Sequence, residues 1–170
     1  MQLLVVRHAI AVDPAEYARH HRDDAKRPLT PAGRRKMERA ARGLHRLVED
    51  LDVLASSPLL RARQTADIVA AEFQVKAVAT VPELAPGQPP AALASWLTGQ
   101  TRRALVAIVG HEPSLSLAVS WLLAGTDRPF VELKKGAACL LELSSDAGPG
   151  GATLVWALRP GALRRIGGKR

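Results

Sequence analysis

Two histidines and two arginines stand at places in this 170-residue chain where side chains could act together on a doubly charged anion. Arg7-His8 directly follows the apolar run QLLVV, and His111 follows another, ALVAIV, through Gly110. Arg61 stands between them in the run SSPLLRARQT. An imidazole can serve as a nucleophile or an anion ligand, and a guanidinium presents a fork of donors matched to phosphate oxygens. Arg61 is the informative one. It falls in the first turn of an expected helix, where a cation opposes the helix dipole at a cost of a few tenths of a kcal/mol or more. That placement makes sense if an anion sits at the same helix end, bound by free backbone N–H groups and the guanidinium together. His111 also sits just before an expected helix start. Two helix N-termini, two arginines and two histidines would make a phosphate-sized pocket.

The elements that must position these residues read in a regular order. Residues 2–6 form a short buried strand. Residues 9–28 are charged, without a clear period, and read as a loop or marginal helix. Thr30-Pro31 is a cap followed by a first-turn proline. It opens a helix with one apolar stripe: Met37, Ala40, Ala41, Leu44, Leu47, Val48 and Leu51. A second strand covers 53–56. Ser57-Pro58 repeats the cap-and-proline signal and opens a helix with Ala62, Ala66, Val69 and Phe73 on one face. Residues 75–81 read as a third strand, 82–90 as a proline-rich loop and 91–98 as a short helix. The apolar run 104–109 is typical of a strand covered on both faces, and a helix follows from Ser114 to Ala124. Strands at 137–143 and 153–158, separated by SSDAGPGGA, read as a β-hairpin. The alternation predicts an α/β fold with three α/β/α layers, a mainly parallel sheet and a C-terminal antiparallel hairpin. Active sites in such sheets lie beyond the C-terminal ends of the strands. The four residues all fall there.

Composition bounds the alternatives. Nearly half the residues are apolar (47%), which excludes a disordered class. The expected organisation is one domain over 1–160 with a basic tail over 161–170, read as solvated and frayed. The single Cys139 allows no intramolecular disulfide and suits a reducing, cytoplasmic compartment. The apolar run at the N-terminus is far too short for a signal peptide, and no stretch approaches the roughly 20 apolar residues of a membrane span. The net charge of +8 favours anionic partners. Few aromatics and no recognition motif accompany it, so nucleic acid is not expected as a partner. The histidines show no HExxH spacing, and His20-His21 lie in a charged loop, so no metal is expected. Taken alone, each of the four residues is more often a bland structural or solvated group. Their joint placement is what carries the signal.

Three segments resemble the signatures of the histidine phosphatase superfamily, which has the phosphoglycerate-mutase-like fold. They are VVRHAIA at 5–11, SSPLLRARQTA at 56–66 and IVGHEPSL at 108–115, in the family's order. The RPLTPAG run at 27–33 and the short length are most similar to the SixA-like phosphohistidine phosphatases. Ala9 stands where the superfamily commonly has glycine. It adds one methyl near His8 and is not expected to abolish activity.

The resemblance implies a two-step phosphoryl transfer with no metal or other cofactor. Neutral His8 is the nucleophile and becomes a phosphohistidine that water hydrolyses. Arg7, Arg61 and His111, the last read as protonated, stabilise the phosphoryl oxygens. Glu83 in the VPEL segment is the candidate general acid, with Glu112 the other carboxyl to weigh. Only 50 positions separate Arg61 from His111, too few for the long segment that covers the site in many relatives. An open cleft suits a phosphorylated protein, such as a histidine phosphotransfer protein, better than an enclosed small phosphorylated molecule. Arg19, Arg22, Lys26 and Arg27 could form a basic docking rim, although such charge runs are usually solvated. A monomer is expected. The alternatives are a phosphatase of small metabolites, a mutase, and a non-catalytic phosphate-binding module.

Overall fold

The computed structural model describes residues 1–48, 50–100, 103–144 and 147–168. Two apolar runs form the centre of the sheet. β1 (Gln2–Arg7) and β4 (Leu105–Gly110) pair in parallel from Gln2 opposite Leu105 to Arg7 opposite Gly110. Every residue of β4 is buried, as a strand covered on both faces requires. β2 (Val53–Ser56) continues the sheet in parallel beyond β4, and β3 (Ala79–Thr80) beyond β2. On the other side β5 (Ala138–Leu143) runs antiparallel to β1, and β6 (Ala152–Leu158) antiparallel to β5. The order is β3-β2-β4-β1-β5-β6.

Alternation along the strands feeds two cores. Leu4, Val6, Ala107 and Val109 face one layer, built from α2 (Pro31–His45), α3 (Leu60–Phe73) and α6 (Pro160–Ile166). Leu3, Val5, Val106 and Ile108 face the other, built from α4 (Pro90–Thr98) and α5 (Ser114–Ala124). This is the expected α/β/α sandwich with its C-terminal hairpin.

α2 begins as its sequence indicates. Thr30 Oγ1 accepts the Gly33 amide at 2.9 Å, and Pro31 occupies the first turn. Gly33 is required by packing: a Cβ there would lie 2.1 Å from the Ile10 carbonyl oxygen. That contact lays the start of α2 against the chain leaving β1. Residues 9–28 remain mostly irregular and are closed at the base by a bridge between Ala11 and Leu29. They contain the short helix α1 (Pro14–Ala18) and a 3-10 turn at Asp24–Lys26.

Three expectations are corrected. The third strand is two residues long instead of seven. It lies at the sheet edge beside a short β2, and Val75 and Val78 pack against the core without joining a ladder. α3 begins at Leu60 with Leu59 at its cap position, so Ser57 does not cap it. The basic segment after 160 is folded through Gly168: α6 buries Leu163 completely against α2. Gly43 admits it, since a Cβ there would meet the Leu163 carbonyl at 2.1 Å. Only residues 169 and 170 of that tail lie outside the described residues, as do 145 and 146 of the hairpin loop. Among the described residues no helix is long and apolar enough to cross a membrane.

Candidate active site

β1 and β4 are neighbours and parallel, so their C-terminal ends deliver Arg7, His8 and His111 to one place. The His8 amide donates to the Gly110 carbonyl at 3.0 Å, and the His8 and His111 rings lie with centroids 5.0 Å apart. β2 ends beside them and hands the chain through Ser57 to α3, which carries Arg61 in its first turn. No side chain caps that turn.

Both imidazoles are almost wholly buried. His8 Nδ1 lies 2.7 Å from the Ala9 carbonyl oxygen. A carbonyl only accepts, so Nδ1 carries the proton and Nε2 keeps its lone pair. Burial lowers the His8 pKa to about 4, opposed by the Ala9 carbonyl and assisted by the charges of Arg61, Arg7 and Arg27. At neutral pH the ring is therefore an uncharged base with a free Nε2, the form a nucleophile needs.

His111 Nε2 lies 2.8 Å from Ser57 Oγ. Burial lowers its pKa to about 3, with further pressure from His8, Arg61 and Arg27 against a small opposing effect of Asp24. The expectation of a protonated His111 is corrected for the free pocket. Burial and the neighbouring charges of Arg61 and Arg27 disfavour a further cation on this ring and outweigh the Asp24 carboxylate. A phosphate dianion beside the ring would push this pKa upward.

The arginines are held by one face and left open on another. Arg7 Nη1 donates to the Leu133 carbonyl at 2.7 Å. Arg61 Nη1 donates to the Asp24 carbonyl at 3.0 Å and pairs with the Asp24 carboxylate at 3.1 Å. Arg27 Nε donates to the same carboxylate at 2.7 Å, and Arg27 Nη1 to the Val12 carbonyl at 2.8 Å. Among the described residues three buried side-chain nitrogens lack any hydrogen-bond partner: Arg7 Nε, Arg61 Nε and His111 Nδ1. All three belong to the four residues singled out by spacing. Buried donors of this kind cost about 1–3 kcal/mol each when unsatisfied. One tetrahedral anion is the acceptor that could serve them together.

Four more residues complete this cluster, none of them assigned to it from the sequence. Thr65 Oγ1 accepts the Ala9 amide at 3.0 Å and donates to the Arg61 carbonyl at 2.7 Å, tying the His8 turn to α3. Its signal was its place one helical turn after Arg61. Ser57 carries the sequence signal of a helix cap but serves His111 instead. Asp24 had no signal. Arg27, expected in a basic rim, is only 8% exposed and shares the Asp24 carboxylate with Arg61.

The carboxyls are placed differently. Glu83 is half-buried on a 3-10 turn, Pro82–Leu84, at the C-terminal edge of the sheet, where Leu84 packs near Gly110. Among the described residues it makes no hydrogen bond or ion pair, so the structure does not join it to the other four. Glu112 accepts the Ser116 hydroxyl and, at 3.3 Å, the Leu133 amide. No group of three or more metal-ligating side chains occurs among the described residues.

Residues 3–86 match the family model described as histidine phosphatase superfamily (branch 1). An uncharacterized protein of Picosynechococcus sp. is 35% identical over 137 residues, covering 79% of this chain and 81% of that one. The structure of the protein histidine phosphatase SixA complexed with tungstate superposes with a TM-score of 0.82 at 26% identity, covering 96% of this chain and 99% of that chain. The alpha-ribazole phosphatase from Shigella flexneri shares the fold at a TM-score of 0.71 and 19% identity, covering 94% of this chain and 97% of that chain. The three motifs, the sheet order and these likenesses agree: the chain belongs to the histidine phosphatase superfamily and is SixA-like within it.

Proposed function

We propose that this phosphatase removes phosphoryl groups from phosphohistidine on proteins, through a covalent intermediate on His8. The single observation that carries the reading is the set of three unpartnered buried donors, Arg7 Nε, Arg61 Nε and His111 Nδ1, in the cluster that holds a neutral His8. His8 Nε2 attacks phosphorus in line with the leaving group. The bond to the leaving atom breaks, and its electron pair departs with that atom. Arg7, Arg61 and the His111 N–H face the equatorial oxygens, with Arg27 adding positive potential behind Arg61. Water then attacks the phosphohistidine, and the electron pair returns to Nε2.

Two features favour a protein substrate. Only β3, a 3-10 turn and α4 lie between α3 and β4, and α4 packs into the second core instead of covering the site. The loop 9–28, with exposed Arg19, Arg22 and Lys26, lies beside Arg61 on the open side. Glu83 is the proposed proton donor for alkoxide leaving groups, which need one; an imidazole leaving group needs less help.

The test is phosphate release from a phosphorylated histidine phosphotransfer protein, set beside a panel of sugar phosphates and phosphoglycerates. The parent should dephosphorylate the protein with the higher kcat/KM, and His8→Ala should release nothing from either. Turnover of the small molecules alone would overturn the protein-substrate reading. His8→Ala turnover at the parent rate would overturn the catalytic one.

A further inference from the structure

A second concave surface shares Arg7 with the site described above and has a different chemistry. It is a cavity of about 490 Å³ lined by Arg7, Pro113, Pro129, Phe130, Val131 and the two acidic residues Glu112 and Glu132. Phe130 is 61% exposed, whereas the chain's other phenylalanine, Phe73, is buried. Its ring is not on a loose loop. The Phe130 amide donates to Ser120 Oγ of α5 at 3.1 Å, and three residues on the Leu133 amide donates to Glu112 at 3.3 Å. Leu133 is buried, and its carbonyl holds Arg7. The segment that presents Phe130 is thus fixed to α5 and to a phosphate-cluster arginine.

Two acidic side chains beside an arginine cluster restrict what can occupy this cavity. A substrate whose non-phosphate part is itself anionic, such as a phosphoglycerate, would meet Glu112 and Glu132 there. A flat group bearing a positive charge would meet an exposed aromatic face and a carboxylate, both attractive to it. Glu112 is held at both oxygens by Ser116 and Leu133, while Glu132 is exposed at the rim and paired with Lys134.

We propose that this cavity seats the leaving ring of the substrate, the protonated imidazole of a phosphohistidine, stacked on Phe130 with its free ring N–H turned to a carboxylate of Glu112 or Glu132. The proposal rests on the phosphohistidine reading and specifies how that substrate is told apart from a phosphate ester. It also removes the need for a general acid with this substrate. In the substrate one ring nitrogen carries the phosphoryl group and the other a proton. His8 Nε2 forms its bond to phosphorus while the substrate's P–N bond breaks. The electron pair stays on the substrate nitrogen, and imidazole departs neutral. No proton moves in the step.

The test uses two P–N compounds, phosphoimidazole with the ring and phosphoramidate without it, on the parent, Phe130→Ala and Phe130→Tyr. Phe130→Ala should lose roughly tenfold or more in kcat/KM for phosphoimidazole relative to phosphoramidate, mainly through KM. Phe130→Tyr should keep the parent ratio. Inhibition by inorganic phosphate should be the same in all three, because the anion site does not include Phe130. An unchanged ratio in Phe130→Ala, with the parent active on phosphoimidazole, overturns the cavity assignment and leaves the phosphohistidine reading standing. A parent inactive on both P–N compounds overturns both.

Discussion

Ser57 Oγ and His111 Nε2 lie 2.8 Å apart, both buried, and this contact couples the His111 tautomer to the Ser57 hydroxyl. Ser57 Oγ already accepts the Leu59 amide at 3.3 Å. The hydroxyl keeps its own proton to give, and donation to Nε2 puts the His111 proton on Nδ1, the nitrogen without a partner among the described residues. In that tautomer His111 can offer an anion a neutral N–H. Ser57→Ala should therefore reduce kcat/KM roughly tenfold or more, the equivalent of about 1–3 kcal/mol for a buried polar group that loses its partner. Ser57→Thr should retain most activity. Nitrogen chemical shifts of the His111 ring should report the Nδ1–H form in the parent and a mixture of forms in Ser57→Ala.

Arg61→Lys separates charge from geometry. Lysine keeps the positive charge but has no Nε–H and no planar fork. Arg61 Nε is one of the three unpartnered donors, while Nη1 is committed to Asp24. The loss should resemble removal of one donor from a transition-state pocket, on the order of 10²–10³ in kcat. Calorimetric titration with inorganic phosphate should show weaker binding, and the far-UV circular dichroism should be unchanged.

The two histidines predict a stability that declines with acid. Their pKa values in the folded protein, about 4 for His8 and about 3 for His111, lie below the ordinary histidine value of 6.5. The unfolded chain takes up these protons as pH falls through 6.5, and the folded protein does not until pH 3–4. The associated stability is fully present above pH 6.5 and is lost between there and pH 3–4. The slope approaches about 1.4 kcal/mol per pH unit for each ring. Denaturant unfolding at several pH values checks this, and His111→Asn should flatten the dependence. Saturating phosphate should raise the His111 pKa and also flatten it.

Leu163→Ala tests whether the basic C-terminal segment is structural. Leu163 is fully buried between α6 and α2. Its truncation should cost about 2–5 kcal/mol, the range for a core leucine. Gly43→Ala should have a comparable effect, because its Cβ would collide with the Leu163 carbonyl. Thermal unfolding measures both. A change within error for both variants would mean that α6 does not dock in solution.

The contrast between α6 and the site shows what the sequence could convey. β1 and β4 were legible because their apolar runs are unbroken, and α2 because its stripe begins at a Thr-Pro cap. His8, Arg7, Arg61 and His111 were legible because they end strands or begin helices in a parallel sheet, where position implies convergence. Leu163 was hidden because a seven-residue helix, with only Ala162, Leu163 and Ile166 apolar beside two arginines, is too short to set up a stripe. Ser57 was misread because a serine before proline is the ordinary mark of a helix cap, and only β4's adjacency shows that its hydroxyl serves His111. Arg27 and Asp24 were hidden in a charge run: the exposed Asp24 meets Arg61 of α3 from 37 residues away, and Arg27 is buried against that same carboxylate and the Val12 carbonyl.

The roles of Glu83 and Glu112 are separable through the leaving group. Glu112 accepts a hydrogen bond from Ser116 and another from Leu133, whose carbonyl in turn holds Arg7. A carboxyl group engaged at both oxygens positions its neighbours. Glu83 has no such commitments among the described residues and stands at the sheet edge where β2 and β4 end. General acid catalysis contributes about 10²–10⁴-fold where the leaving group is a poor one. Glu83→Gln should therefore slow phosphoserine hydrolysis far more than hydrolysis of p-nitrophenyl phosphate, whose phenolate leaves without a proton. Glu112→Ala should slow both by the same factor, because it loosens Arg7 and with it the grip on phosphate. Equal effects of Glu83→Gln on the two esters would remove Glu83 from the reaction and leave the leaving group to take its proton from water.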